Sequence, residues 1–269
     1  MRFSEAVKAL ADAGIENARG EAMEIFSDLG GFERTALLLS DVDSDSEAVI
    51  RAVKERTERK PLQYILGRAY FYKEEYEVNE SCLIPRQDTE ILVDFACRNL
   101  PEGAHFVDLC TGSGCIAIST LKNTEATQAV MVDISADAME IAKRNAEKNG
   151  VYERCSFVVT DAMRECVEGD FFAVLSNPPY VKDSVYEGLD REIFHEPKIA
   201  FVGGEDGADF YRKFTKLYRD KIADDGFIAY EIGFDQAEIL NSIAKQNAMS
   251  CEIIKDFSGN DRVAVLKKA

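Results

Sequence analysis

From about residue 88 onward the chain alternates strand-forming runs with helical stretches, and this alternation restricts the fold more than any other feature. Candidate strands are 105–109, 129–134, 156–160, 172–176, 227–232, 252–256 and 262–266. Helical patterns occupy 89–98, 115–121, 136–149, 210–222 and 236–246. Strands that alternate with helices predict a mostly parallel sheet covered on both faces. Only five residues, 257–261, separate the last two strands, so they form a hairpin and the final strand runs antiparallel.

The first 68 residues differ. Phe3, Val7 and Leu10 recur at helical spacing, as do Ala22, Ile25, Phe26 and Leu29. Gly14 and Gly30-Gly31 act as stops. Ser44 with Glu47 forms a candidate capping box before Val49. Residues 69–87, with Tyr70, Phe71, Tyr72, Tyr76 and Val78, read as a hairpin linker turning at Lys73-Glu74-Glu75. The predicted domains are therefore a helical bundle at 1–68, the linker at 69–87 and an α/β domain at 88–269.

The seven cysteines are an odd number with no C-x-x-C pair, and there are only two histidines, His105 and His195. That argues against zinc and for a reduced, cytoplasmic setting. No apolar run is long enough to span a bilayer, and the N-terminus has no leader-like apolar core. A net charge of −17 opposes unaided binding to a polyphosphate backbone, so neither a membrane nor direct nucleic-acid contact is expected.

Asp108-Leu109-Cys110-Thr111-Gly112-Ser113-Gly114 follows the first strand of the α/β domain and opens a helix. Its glycines permit a sharp turn and a close ligand approach, and the helix start offers unpaired N–H groups. Asp133 lies 21 residues after Gly112, at a strand end, where a carboxylate can accept from both ribose hydroxyls. Gly112, Gly114 and Ala117 also satisfy the dinucleotide fingerprint. Asp108 in the turn entry favours a cationic sulfonium cofactor, S-adenosylmethionine, over a pyrophosphate. Asp161 and Ala162 close the third strand, 28 residues after Asp133. They suit an adenine edge, although Asp161 as a helix N-cap is an equal alternative. The competing reading of the glycines is close helix–sheet packing.

Ser176-Asn177-Pro178-Pro179-Tyr180 follows the fourth strand, at the sheet edge where open α/β proteins bind ligands. Two prolines remove two backbone donors. The Asn177 side-chain oxygen and the Pro178 carbonyl can then each accept one hydrogen of a target NH₂ group, while Tyr180 packs on a planar target. An amide nitrogen is a poor nucleophile, and two oriented acceptors push electron density back onto it. The plainer alternative is a proline-rich turn after a buried strand.

Taken in order, these residues resemble the bacterial release factor glutamine methyltransferases, also called the HemK family. The resemblance rests on Pro61 to Gly67, Leu83-Ile84-Pro85-Arg86-Gln87-Asp88-Thr89-Glu90, Asp108 to Gly114, Asn177 to Tyr180, and Phe257 to Arg262. It implies a Rossmann-like class I methyltransferase fold, a seven-stranded mostly parallel sheet with a small N-terminal helical bundle. It implies methylation of the glutamine of the Gly-Gly-Gln motif in class I peptide chain release factors, with S-adenosylhomocysteine as the other product. It further implies that Phe71 packs on the glutamine stem and that residues 1–68 help to bind the factor. Two positions depart from the pattern. Gln87 replaces a usual Pro, which is expected to loosen the turn, and Cys110 replaces a frequent Gly, which restricts the loop.

Two other functions stay open at this point. An adenine-amino methyltransferase would use the same grip on an extruded base. A cofactor-binding interaction module would need no grip at all. Among weaker candidates, Arg86 is expected to pair with Asp88 or Glu90, or to orient a substrate carbonyl. Glu231 is expected to cap the helix after its strand, His195 to be solvated, and Gly203–Gly207 to be a mobile loop near the pocket.

Overall fold

The structure, a computed structural model, describes residues 1–126 and 128–269. It divides into two compact units, Met1–Arg68 with Asp190–His195, and Ala69–Leu189 with Glu196–Ala269.

The first unit contains helices α1 (Phe3–Asp12), α2 (Ala18–Gly30), α3 (Arg34–Leu39), α4 (Glu47–Thr57) and α5 (Leu62–Leu66). Phe3, Leu10, Ile25, Phe26 and Val53 form its core, so the helical periodicity marks the buried faces. The expected capping box is absent. Glu47 is the first residue of α4, and a box needs its acid two positions further in. Ser46 holds the N-cap position without a side-chain cap bond: its hydroxyl donates to the Leu29 carbonyl at 3.4 Å, and its N–H donates to Ser44 Oγ at 3.3 Å. Buried Arg56 holds the unit's separate segment through Glu192 at 3.0 Å.

The second unit opens with a hairpin, β1 (Arg68–Phe71) and β2 (Glu74–Glu77). Its turn is Tyr72-Lys73, not 73–75, and Tyr72 adopts φ +58°. Glu74 is drawn into the strand because its buried carboxylate accepts from Ser119 at 2.9 Å. There follow α6 (Glu90–Asn99), β3 (His105–Leu109), α7 (Cys115–Lys122), β4 (Gln128–Asp133), α8 (Ala136–Lys148), β5 (Cys155–Val159) and β6 (Phe171–Ser176). The remainder is α9 (Asp183–Tyr186), α10 (Asp209–Tyr218), β7 (Ile222–Glu231), α11 (Ala237–Gln246), β8 (Met249–Lys255) and β9 (Asp261–Lys268).

Seven strands form one sheet in the order β5-β4-β3-β6-β7-β9-β8. All pairs from β5 to β7 are parallel, and β9 runs antiparallel to both neighbours. The strands alternate faces with period two. Phe106, Met131, Leu175 and Phe227 face α6, α7 and α8. Val107, Val132, Val174 and Ile228 face α10 and α11. The helix expected to reach residue 222 ends at Tyr218, and β7 begins at Ile222, because Ile222 pairs with Phe171. Among the described residues no helix is long and apolar enough to cross a membrane.

The chain leaves β3 outward through β4 and β5, then returns to β6 on the other side of β3. The order therefore reverses between β3 and β6, and a crevice opens beyond their carboxyl ends.

Candidate active site at the strand switch point

Register brings the two sequence motifs together. Leu109 pairs with Ser176, so the loop after β3 and the turn after β6 leave the sheet side by side. Ser176 Oγ–H seals the junction by donating to the Leu109 carbonyl at 2.6 Å. A cleft of about 790 Å³, including its mouth, lies over this edge. Cys110, Gly112, Asp133, Asp161, Ala162, Asn177 and Pro179 line it. It is concave and mostly apolar with a few convergent polar groups, as small-molecule sites are. Ser81, Cys82, Ile199 and Phe210 supply further wall that the sequence did not single out.

The loop is held by consecutive elements. Gly112 N–H donates to Asp133 Oδ2 at 2.8 Å and Ser135 N–H to Asp133 Oδ1 at 2.9 Å. Burial raises the Asp133 pKa and these backbone bonds pull it back down. Each oxygen keeps a second lone pair for a ligand hydroxyl. Asn145 of α8 donates to the Ser113 carbonyl at 2.9 Å. Gly114 is required for packing: at φ +83°, its missing Cβ would stand 2.7 Å from Met131 Cε and 2.9 Å from Ile118 Cδ1. Cys110 adopts φ +59°, the left-handed region, where the restriction expected of a non-glycine residue falls.

Asp108 departs from its expected role. It belongs to β3, faces α7 and is 0% exposed. It lies under the loop and does not line the cleft. Asp108 Oδ2 accepts from the Thr111 hydroxyl at 2.6 Å and from Ala117 N–H at 3.3 Å. Its Oδ1 is buried with no hydrogen-bond partner among the described residues. Burial pushes its pKa up to about 7. Thr111 and Ser113 are buried with it. Asp161 makes an Asx turn, with Met163 N–H donating to Oδ1 at 3.0 Å, and no helix follows for it to cap.

Distant elements hold the turn after β6. Asn177 Nδ2–H donates to Thr89 Oγ1 at 3.1 Å. The Thr89 hydroxyl in turn donates to Glu231 Oε2, and Tyr180 O–H donates to Glu231 Oε1 at 3.1 Å. Glu231 is fully buried, which raises its pKa, while Thr89, Tyr180 and nearby Arg262 oppose the rise. Glu231 thus serves the turn beside it and caps no helix. Gln236 Nε2–H donates to the Tyr180 carbonyl at 3.1 Å. The 203–207 segment is a brace. Gly203 N–H donates to the Val181 carbonyl at 2.9 Å, and a Cβ on Gly207 would meet Tyr180 O at 2.3 Å.

The 83–90 segment works through distant partners as well. Arg86 pairs with buried Glu196, which also accepts from Ile84 N–H at 3.0 Å, so neither expected partner is used. Asp88 pairs with Arg262 at 3.1 Å. Gln87 does not loosen the turn, because residues Gln87–Thr89 form a 3₁₀ turn. Phe71 is not the open contact expected for the glutamine stem: it is 2% exposed and packs edge-on against Tyr76, so this conformation gives it no face for a substrate. His195 ends a 3₁₀ turn, is half-buried and does not line the cleft.

Comparison with known proteins agrees with this geometry. Residues 3–67 match the PrmC N-terminal domain family and residues 87–202 the Methyltransferase small domain family. The release factor glutamine methyltransferase of Geobacter sulfurreducens is 35% identical, over 94% of this chain and 91% of its own. That of Thermodesulfovibrio yellowstonii is 35% identical, over 93% and 92%. Two solved structures share the fold. The ribosomal protein L11 methylase of Lactobacillus delbrueckii has TM-score 0.52 and 19% identity, over 68% of this chain and 81% of its own. A methyltransferase of Pyrococcus furiosus has TM-score 0.52 and 20% identity, over 71% and 86%. The α/β unit is thus a class I methyltransferase fold, and the chain belongs to the release factor glutamine methyltransferase family.

Proposed function

We propose that the chain transfers a methyl group from S-adenosylmethionine to the side-chain amide nitrogen of the glutamine in the Gly-Gly-Gln motif of class I peptide chain release factors. One observation carries the chemistry. The Leu109–Ser176 pairing sets the Asn177–Tyr180 turn against the glycine loop at the switch point, and Asn177 and Pro179 of the turn line one cleft with Cys110 and Gly112 of the loop. Membership of the release factor glutamine methyltransferase family supports this choice of substrate.

The residues in the cleft fit the cofactor. Asp133 has lone pairs for both ribose hydroxyls. Asp161 and Ala162 suit the adenine edge, with Ile134 and Pro179 as apolar walls. The 110–113 backbone suits the amino-acid end. When bound, the sulfonium supplies an electrophilic methyl with a neutral thioether as leaving group.

The chain's own part is positioning and electrostatics. Asn177 Oδ1 and the Pro178 carbonyl accept the two amide hydrogens, which turns the nitrogen lone pair toward the methyl and enriches it. Once it carries the methyl, the nitrogen loses one proton to solvent, and one of the two acceptors keeps the hydrogen that remains. Tyr180 flanks the planar amide. The Met1–Arg68 helices add binding surface for the factor, in the cytoplasm where such factors act.

The test is incubation of the protein with a release factor and labelled cofactor, followed by mass spectrometry of the Gly-Gly-Gln peptide. A single methyl on the glutamine, absent from a Gln→Ala factor, is the expected result. Label in DNA or RNA and none in the factor replaces this reading with the adenine-amino one.

A further inference from the structure

The grip needs Asn177 to present its oxygen, and an amide side chain can equally present its NH₂ by a half-turn. Local sequence does not decide between the two. The buried chain Glu231–Thr89–Asn177 does, through hydrogen count. An ionised carboxylate only accepts, and a hydroxyl has one hydrogen. Thr89 gives that hydrogen to Glu231, so toward Asn177 it can only accept. Asn177 must therefore give it an N–H, at 3.1 Å, and its oxygen is turned away from Thr89. We infer that Glu231 and Thr89 are positioning residues that fix the polarity of the grip by making the Asn177 amide present an acceptor to the substrate nitrogen. This rests on the proposed function only in taking the substrate group to be an NH₂.

The arrangement has a built-in failure mode. A protonated Glu231 can donate to Thr89, which can then donate to Asn177 Oδ1. The amide would turn, and its NH₂ would face the substrate's NH₂. The groups around Glu231 decide when this occurs. Burial favours the protonated form and Asp88 adds to it, while Arg262 and the Tyr180 hydroxyl favour the ion. Tyr211 O–H donates to the Glu231 backbone carbonyl at 2.9 Å, and the Cys115 thiol lies on the α7 side.

Three variants test the inference. Thr89→Ser keeps the hydroxyl, Thr89→Val keeps the shape without it, and Glu231→Gln removes the charge. Each is assayed for cofactor Kd and for kcat against pH. With polarity as the cause, Thr89→Ser stays within about threefold of wild type, and Thr89→Val loses about tenfold or more in kcat with cofactor Kd unchanged. Wild type and Thr89→Ser lose kcat toward acid pH, whereas Thr89→Val and Glu231→Gln lack that limb. A Thr89→Val enzyme equal to Thr89→Ser, or an acid limb retained in Glu231→Gln, overturns it. Should Thr89→Val fail to bind cofactor, the Glu231→Gln pH profile decides alone. If wild type methylates adenine instead of glutamine, the substrate reading falls, and the same variant ranking is read on adenine.

Discussion

The two motifs that meet in the cleft are stabilised in opposite ways. The glycine loop leans on its sequence neighbours, β3, α7, β4 and α8. Its bonds to Asp133 and Asn145 span 21 and 32 residues. The turn at Asn177 leans on distant chain: Thr89 is 88 residues away, and Tyr180 reaches Glu231 across 51. The β3-α7-β4-α8 run can therefore preform the glycine loop, whereas the Asn177 turn is held only once Thr89 and β7 are in place. A cofactor site with local support and a reacting site with global support can be damaged separately.

The sharpest separation is expected from Asn177→Ala. It removes one of two oriented acceptors, and kcat should fall about 10²–10³-fold. Cofactor affinity, measured by calorimetry, should move only severalfold, because Asp133 and the 110–114 backbone remain. Loss of cofactor binding on the same scale as kcat would erase the distinction between the two regions.

Asp108 probes the local side through pH. Its folded pKa, about 7, lies above the unfolded value near 4. In that interval the folded chain holds a proton that the unfolded chain has lost, so stability falls as pH rises from about 4 to about 7. Asp108→Asn cannot ionise. Urea unfolding of the ligand-free protein at pH 5 and pH 8 should show the wild-type drop shrinking by about 2–3 kcal/mol in the variant. An unchanged drop would mean that Asp108 is ionised when buried, beside a cation yet to be accounted for.

Gly207→Ala attacks the distant support. Its φ is +77°, and the new Cβ would stand 2.3 Å from the Tyr180 carbonyl, backbone that cannot swing aside. A cost of about 2 kcal/mol in unfolding is expected, with kcat lowered more than cofactor affinity. In Gly114→Ala the clash is with flexible tips of Met131 and Ile118. That variant should weaken cofactor binding and kcat together. If the two alanines give the same kinetic pattern, the two supports are not separate.

The same divide explains what was legible in the sequence. Elements with local signals stand near their expected places, as with β3, α7 and the antiparallel β9. Glu231 could not be given its role in advance, because its partners follow from the β6–β7 register, which sets Tyr230 beside Ser176. Arg86 has acids nearby in sequence, but its partner Glu196 is 110 residues away. The motif around Asp108 points to the loop, whereas strand parity decides which way its side chain points. Alternation put it under α7 with Phe106 and away from the cleft.

The smallest expected effect concerns Gln87, where the resemblance leads one to expect proline. Gln87 is exposed and opens the 3₁₀ turn, a position whose φ suits proline. Arg86 before it already has φ −104° and ψ 142°, the extended conformation that a following proline demands. Asp88, Thr89 and Glu90, in contrast, are each tied to a distant partner. Gln87→Pro should therefore act on the unfolded chain alone, by restricting it. A gain of about 0.5 kcal/mol in unfolding free energy is expected, with kcat unchanged. A loss of stability, or a drop in kcat, would show that the backbone at 87 must stay free to move for Thr89 to hold Asn177, and the distant support would then be dynamic as well as structural.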